Sequence, residues 1–263
     1  MFSSDLANFF GGRYIEIKMQ PFSFKEYYSS LSKVNQQKSL SEIYAKYIKE
    51  SGFPQTIKFN SDMELINDYL LNTVYLNTVQ KDIIQRYNIA NTNKLESVIR
   101  YIFDNIGNET SLRNIAKGLK VSGQKVSVPT IDSYLKGLLD SYLIYKCEQY
   151  DIKGERILDA NPKYYVADIG LRTAVLNNSD RDFGHVLENI VYLELIRRGY
   201  KVCIGRFNNA EVDFIAKKNN TTEYYQVALN VLETETLERE LYSLEKIKDN
   251  YYTLTDIANP IQL

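Results

Sequence analysis

Three short segments in the last third of the chain constrain it most: Glu188-Asn189 on an apolar helix, Glu211-Val212-Asp213-Phe214 on one strand, and Tyr225-Gln226-Val227-Ala228 on the next. Strand side chains alternate with period two, so residues two apart share a face. A metal-dependent phosphodiester-cleaving site of this plan needs an acid on the first strand, an acid or amide on the second, and a lysine two residues further on. Asp213 and Gln226 hold the first two places, and Ala228 stands where the lysine belongs. A methyl group can neither orient a water nor stabilise a charged phosphorus centre. The expectation is a site with the shape of a metal centre, Glu188, Asp213 and Gln226, and no catalytic residue. Two carboxylates and an amide oxygen suit magnesium or manganese, so Glu188 and Asp213 are at most a weak metal site. The alternative is that both acids simply pair with Arg197, Arg198, Arg206 or Arg239.

Around these segments the pattern alternates helix and strand. Phe183 to Arg198 is amphipathic, with Val186, Leu187, Ile190, Val191, Leu193, Leu195 and Ile196 inward; Gly199 stops it, and Tyr200 to Ile204 reads as a strand. Glu211 to Ala216 and Glu223 to Val231 read as two more, joined by the turn Lys217 to Thr221. Thr234 to Lys248 reads as a helix carrying Arg239 and Glu240, and Asn250 to Leu254 as a closing strand. The order αβββαβ is that of a small restriction-endonuclease-like domain, spanning 173–263.

The earlier chain is mostly helical. Phe24, Tyr27, Tyr28 and Leu31 share one stripe, as do Ile43, Tyr44, Tyr47 and Ile48. Gly52-Phe53-Pro54 breaks the run, and Phe59-Asn60-Ser61-Asp62 is an N-cap entry to a long helix, Asp62 to Arg86. This gives a helical, lid-like block over 21–92, its aromatic stripe serving as core. From 93 to 172 the reading is three helices, Lys94 to Ile106, one capped by Ser111, and one capped by Thr130 and running to Leu139. A strand, Tyr142 to Asp151, then turns through Lys153 to Arg156 toward Lys163 to Val166. Three helices and a hairpin make a winged helix-turn-helix, in which the third helix enters the major groove and the hairpin tip touches phosphate. Lys125, Thr130, Lys136, Lys153 and Arg156 are its candidate DNA contacts, diluted by Asp132, Asp140, Asp151 and Glu155. The fold class is thus α+β or α/β and multi-domain.

Composition excludes some alternatives. The formal net charge of the 263 residues is -1, so attraction to nucleic acid must come from a local basic face. Cys147 and Cys203 form no CxxC or Cys/His cluster and read as reduced structural thiols. His185 is the one histidine, which removes Ser-His-Asp chemistry from a single chain. No run of roughly 18 apolar residues suits a membrane span, and the N-terminus has no basic leader, so a cytoplasmic location without membrane contact is expected.

At the start, Ser3-Ser4-Asp5-Leu6 begins a short helix ended by Gly11-Gly12, and Arg13-Tyr14-Ile15-Glu16-Ile17 alternates like a strand. These motifs, with Pro21-Phe22-Ser23-Phe24, Gly52-Phe53-Pro54, Asp82-Ile83, Lys163-Tyr164-Tyr165-Val166-Ala167-Asp168-Ile169-Gly170-Leu171-Arg172, Leu187-Glu188-Asn189 and the two site strands, resemble a group of prokaryotic AAA-type ATPases. Those proteins carry a C-terminal domain of unknown function, a winged helix followed by a nuclease-like fold. The resemblance implies that 1–20 is the tail of an ATPase core, with Arg13 at a Gly-Arg position able to sense nucleotide in trans. No Gly-x-x-x-x-Gly-Lys-Ser/Thr occurs in this chain, so no loop cradles phosphate here. The expectation is a noncatalytic interaction or regulatory module with no cofactor of its own, ATP and magnesium belonging to a missing ATPase domain. Its partner is that domain or another protein. The alternative is a DNA-binding protein or a weak metal-dependent nuclease.

Overall fold

The structure, a computed structural model, describes residues 15, 17–31, 38–177, 182–208, 210–228, 242, 244 and 247, and the backbone of 252–255. It is a mixed α+β arrangement with two sheets among the described residues. Arg13 and Arg239 lie outside them. Ile15 and Ile17, expected in a strand, are not in one, and both side chains are exposed.

Helix starts follow local chemistry. Ser23 and Ser39 form capping boxes with Glu26 and Glu42 at the heads of α1 (Phe24–Ser30) and α2 (Leu40–Glu50). After the short α3 (Pro54–Ile57), the Asp62 carboxylate accepts from the backbone N–H groups of Glu64 and Leu65 to open α4 (Met63–Asp68). The long helix expected here continues, widened to π-helical hydrogen bonding over Tyr69–Tyr75 and Thr78–Gln85. Three further helices follow: α5 (Thr92–Asp104), α6 (Leu112–Val121) and α7 (Val128–Asp140). Ser111 caps α6 as expected, but Thr130 does not cap α7. Ser127 does, its hydroxyl accepting from the Thr130 N–H at 3.3 Å. Pro129 sits in the first turn, where its missing N–H costs nothing.

The strand expected over Tyr142 to Asp151 divides at Glu148, because its two halves pair with different partners. β1 (Ile144–Cys147) pairs antiparallel with β4 (Lys163–Val166). β2 (Gln149–Asp151) pairs antiparallel with β3 (Arg156–Ile157), so Arg156, expected in the turn, lies in a strand, and on its other edge β2 runs parallel to β5 (Lys201–Phe207). The hairpin tip is thereby built into a six-stranded sheet of order β3-β2-β5-β6-β7-β8. Its remaining strands are β6 (Ala210–Lys218), β7 (Thr221–Val227) and β8 (Tyr252–Thr255); β6 and β7 pair antiparallel across the expected turn, and β7 and β8 pair parallel. Of the helix expected over 234–248, Tyr242, Leu244 and Ile247 are described; the first two are helical and Ile247 lies in a bend.

In sequence between β4 and β5 come α8 (Ile169–Leu176) and α9 (Phe183–Arg197). The loop joining β4 to α8 is a buried joint. Asp168 accepts from the Leu171 N–H at 2.7 Å and from the Gly52 N–H at 2.8 Å, which ties the Gly52-Phe53-Pro54 break to the head of α8. Only glycine fits at 170, since a Cβ there would lie 2.4 Å from the Ser51 nitrogen. Arg172, also buried, donates to the Phe103 carbonyl at 2.6 Å.

Candidate functional site

α9 is buried along most of its circumference, from Val186 to Leu195, which draws two polar residues into the interior. Asn189 is fully enclosed and acts as a surrogate strand edge. Its Oδ1 accepts from the Val166 N–H at 2.8 Å and its Nδ2 donates to the Val166 carbonyl at 2.9 Å. One residue earlier, Glu188 faces the other end of β4. Lys163 and Tyr165 alternate onto one face of that strand, and both reach Glu188 Oε1, at 3.0 Å and 2.5 Å. Tyr165 is fixed by stacking on Tyr192, with ring centroids 4.4 Å apart.

The β6 side is shaped by a bulge. Cys203 pairs with Ile215 and Gly205 with Val212, so Asp213 and Phe214 together stand opposite Ile204. Such an insertion re-aims a side chain locally, and simple period-two alternation across β6 does not hold at Asp213. Gly205 permits the close approach, since a Cβ there would lie 3.0 Å from Ile215 Cγ1. Asp213 Oδ2 accepts from the Val227 N–H at 2.7 Å, while the Asp213 N–H reaches Gln226 Oε1 at 3.4 Å. Asp213 and Gln226 are therefore adjacent, as expected, and their contact is with each other's strand. Ala228 follows directly after β7 and is half-buried.

Lys163 links the two halves of the cluster. Its ammonium lies 2.9 Å from Glu211 Oε1 as well as 3.0 Å from Glu188 Oε1. Glu211 is in turn held by Arg206 Nη1 at 3.0 Å, and Arg206 donates through Nε to Gln149 Oε1 at 3.0 Å and pairs through its last nitrogen with Glu109. Gln149 is buried and anchored by the Asn161 carbonyl at 2.7 Å. Charges of alternating sign thus run from Glu109 through Arg206, Glu211 and Lys163 to Glu188.

The electrostatics follow from this packing. Burial pushes the Asp213 carboxyl up to about 7, and the nearby Glu188 adds to the shift, against the Val227 N–H and Lys163. Burial works against the charge on Lys163, but Glu188 and Glu211 outweigh it and hold the ammonium above its ordinary value. Tyr165 is pushed well above its usual range by burial and by Glu188.

As placed, Glu188 and Asp213 each have one carboxylate oxygen engaged by the chain itself. Glu188 is turned to Lys163 and Tyr165, and Asp213 Oδ2 to a backbone N–H. Among the described residues no group of three or more histidine, cysteine, aspartate or glutamate side chains is disposed to hold a metal. Pairing with arginine, the other expectation, falls on Glu211 instead: Arg206 takes that carboxylate, Arg197 pairs with Glu26 and Glu194, and Arg198 with Glu194. Lys163, Tyr165, Glu211 and Arg206 were not singled out as site residues from the sequence. Among the DNA-contact candidates, Lys125, Lys136, Lys153 and Arg156 are exposed, and Thr130 is half-buried with its hydroxyl 2.6 Å from that of Ser127. Among the described residues no helix is long and apolar enough to cross a membrane.

Comparison with known proteins gives relatives of this chain and a family. An uncharacterized protein of Haemophilus influenzae is 36% identical over 251 residues, covering 95% of this chain and 61% of its own length. An uncharacterized protein of Methanocaldococcus jannaschii is 31% identical over 268 residues, covering 95% and 57%. The chain therefore spans about three fifths of the length of these curated relatives. No solved structure matches it. Residues 41–182, which include Lys163 but not Glu188, Glu211, Asp213 or Gln226, match the family model described as Domain of unknown function (DUF8612). That stretch is more than half of the chain, and the chain belongs to this family.

Proposed function

We propose that this chain is a noncatalytic interaction or regulatory module that works with an AAA-type ATPase domain. Its helices α5 to α7 and the strands after them serve as a winged helix, and α9 with β5 to β8 as a nuclease-like domain whose site has lost its chemistry. One observation carries the loss of chemistry: the ammonium of Lys163 lies within ion-pair distance of both Glu188 and Glu211. Those carboxylates are engaged by a cation of the chain itself, and position 228 offers only a methyl group to an attacking water. The ATPase connection rests on the motif resemblance and on the greater length of the relatives, which extend well beyond the part that matches.

A second reading, DNA tethering, is favoured by the exposure of Lys125, Lys136, Lys153 and Arg156. Phosphate contacts through such residues release counterions and weaken steeply with salt. One experiment separates the readings: binding of a labelled duplex of about 30 base pairs at low and moderate salt, with and without magnesium, for the wild-type chain and for Asp213→Ala. Magnesium-dependent cleavage by the wild type that disappears in the variant would sink the noncatalytic reading. Salt-sensitive binding without cleavage moves the module to DNA, and no binding at either salt leaves a protein partner.

A further inference from the structure

We propose that Lys163 is the resident cation of this site: its ammonium fills the place between Glu188 and Glu211 that a divalent ion would take, and so closes the site to metal. The inference rests on reading Glu188, Asp213 and Gln226 as a nuclease-like site and adds what keeps that site shut.

Four features place the ammonium there by construction rather than by chance contact. The Lys163 side chain is 7% exposed, so its charge is out of water and depends on its partners. It comes from β4, whose register against β1 and whose grip on Asn189 fix the strand beside α9. Both carboxylates that meet it are steadied from behind, Glu188 by the Tyr165 hydroxyl and Glu211 by Arg206. The remaining acid, Asp213, directs one oxygen to the Val227 N–H rather than toward a shared centre. An ammonium has one charge and hydrogen-bond donors of its own, so it satisfies this pair of carboxylates without the water ligands that magnesium or manganese retains.

The charge count agrees. Glu188, Glu211 and Glu109 face Lys163 and Arg206, three acids against two permanent cations. Removing the lysine charge leaves three acids against Arg206 alone, which is paired with Glu211 and Glu109. That imbalance costs stability, and a divalent cation is the charge that restores it.

The test compares the full chain with Lys163→Met, similar in length and uncharged, and Lys163→Arg, which keeps the charge. Each is titrated with manganese by calorimetry and melted with and without manganese. The wild type and Lys163→Arg should show no saturable manganese site and no manganese-dependent rise in melting temperature. Lys163→Met should melt lower, and manganese should bind it at least about tenfold more tightly than the wild type and raise its melting temperature. If Lys163→Met folds only when manganese is supplied during refolding, the proposal also stands. Saturable manganese binding by the wild type overturns it, as does a Lys163→Met chain that gains no manganese binding, or that fails to refold with and without the metal. Cleavage of nucleic acid is read separately: a wild type that cleaves defeats the noncatalytic reading, while the manganese response of Lys163→Met judges the role of the lysine.

Discussion

Among single residues, Asp213 carries the clearest pH signature. Its carboxyl is raised to about 7 in the folded chain, from an ordinary value of 3.8, by burial and by Glu188. Between those values the folded state keeps a proton that the unfolded chain has released. The contribution of this group to stability is therefore greatest at acid pH and is lost as pH rises through about 7. Asp213→Asn can still accept from the Val227 N–H but never ionises. Its melting temperature relative to the wild type should climb between about pH 5 and about pH 8, and a difference that stays flat over that range would show that Asp213 ionises normally. Asp213 and Gln226 were legible as neighbours because adjacent strands joined by a short turn bring such residues side by side. Lys163 was not, since it begins a strand 25 residues before Glu188 and their contact leaves no period in the sequence. The bulge at Asp213 was equally hidden, because it arises from how β6 meets β5 and not from β6 alone.

At the scale of elements, local hydrogen-bonding chemistry was readable and choice of strand partner was not. Ser111 was a recognisable cap, and the cap at Asp62 fell within the expected entry Phe59 to Asp62, because each has a short acceptor just ahead of an apolar helical stripe. At the head of α7 the cap was expected at Thr130, and the structure uses Ser127, on the other side of Pro129. Ser127→Ala should therefore cost about 1 kcal/mol in a urea unfolding series, and Thr130→Ala distinctly less, since its hydroxyl contacts only that of Ser127 at 2.6 Å. The reverse order would put the cap at Thr130. The division of the strand at Glu148 follows from tertiary contacts: Ile204 donates to the Glu148 carbonyl at 2.9 Å, and Gln149 is bound by Arg206 and the Asn161 carbonyl. The alternation of buried and exposed residues continues unbroken through Cys147, Glu148 and Gln149, so nothing in the sequence marks the change of partner.

For the whole molecule, α9 decides how independent the parts are. Val186, Leu187 and Ile190 belong to the core built on the helices, while Val191, Tyr192, Leu193 and Leu195 belong to the core of the larger sheet. A helix that supplies side chains to both cannot leave one without exposing the other. The charged chain from Glu109 to Glu188 crosses the same junction, but most of its members are part-exposed, so apolar burial is the larger coupling term. Leu187 is fully buried, and Leu187→Ala should cost about 2–5 kcal/mol through lost burial and the cavity left behind. If α9 joins the parts, that loss spreads. Amide hydrogen exchange should show peptides from 92–140 and from 201–227 losing protection together and to a similar extent. Loss confined to the helical peptides would mean that the helical part and the larger sheet unfold as separate units, with α9 a linker between them rather than a shared wall.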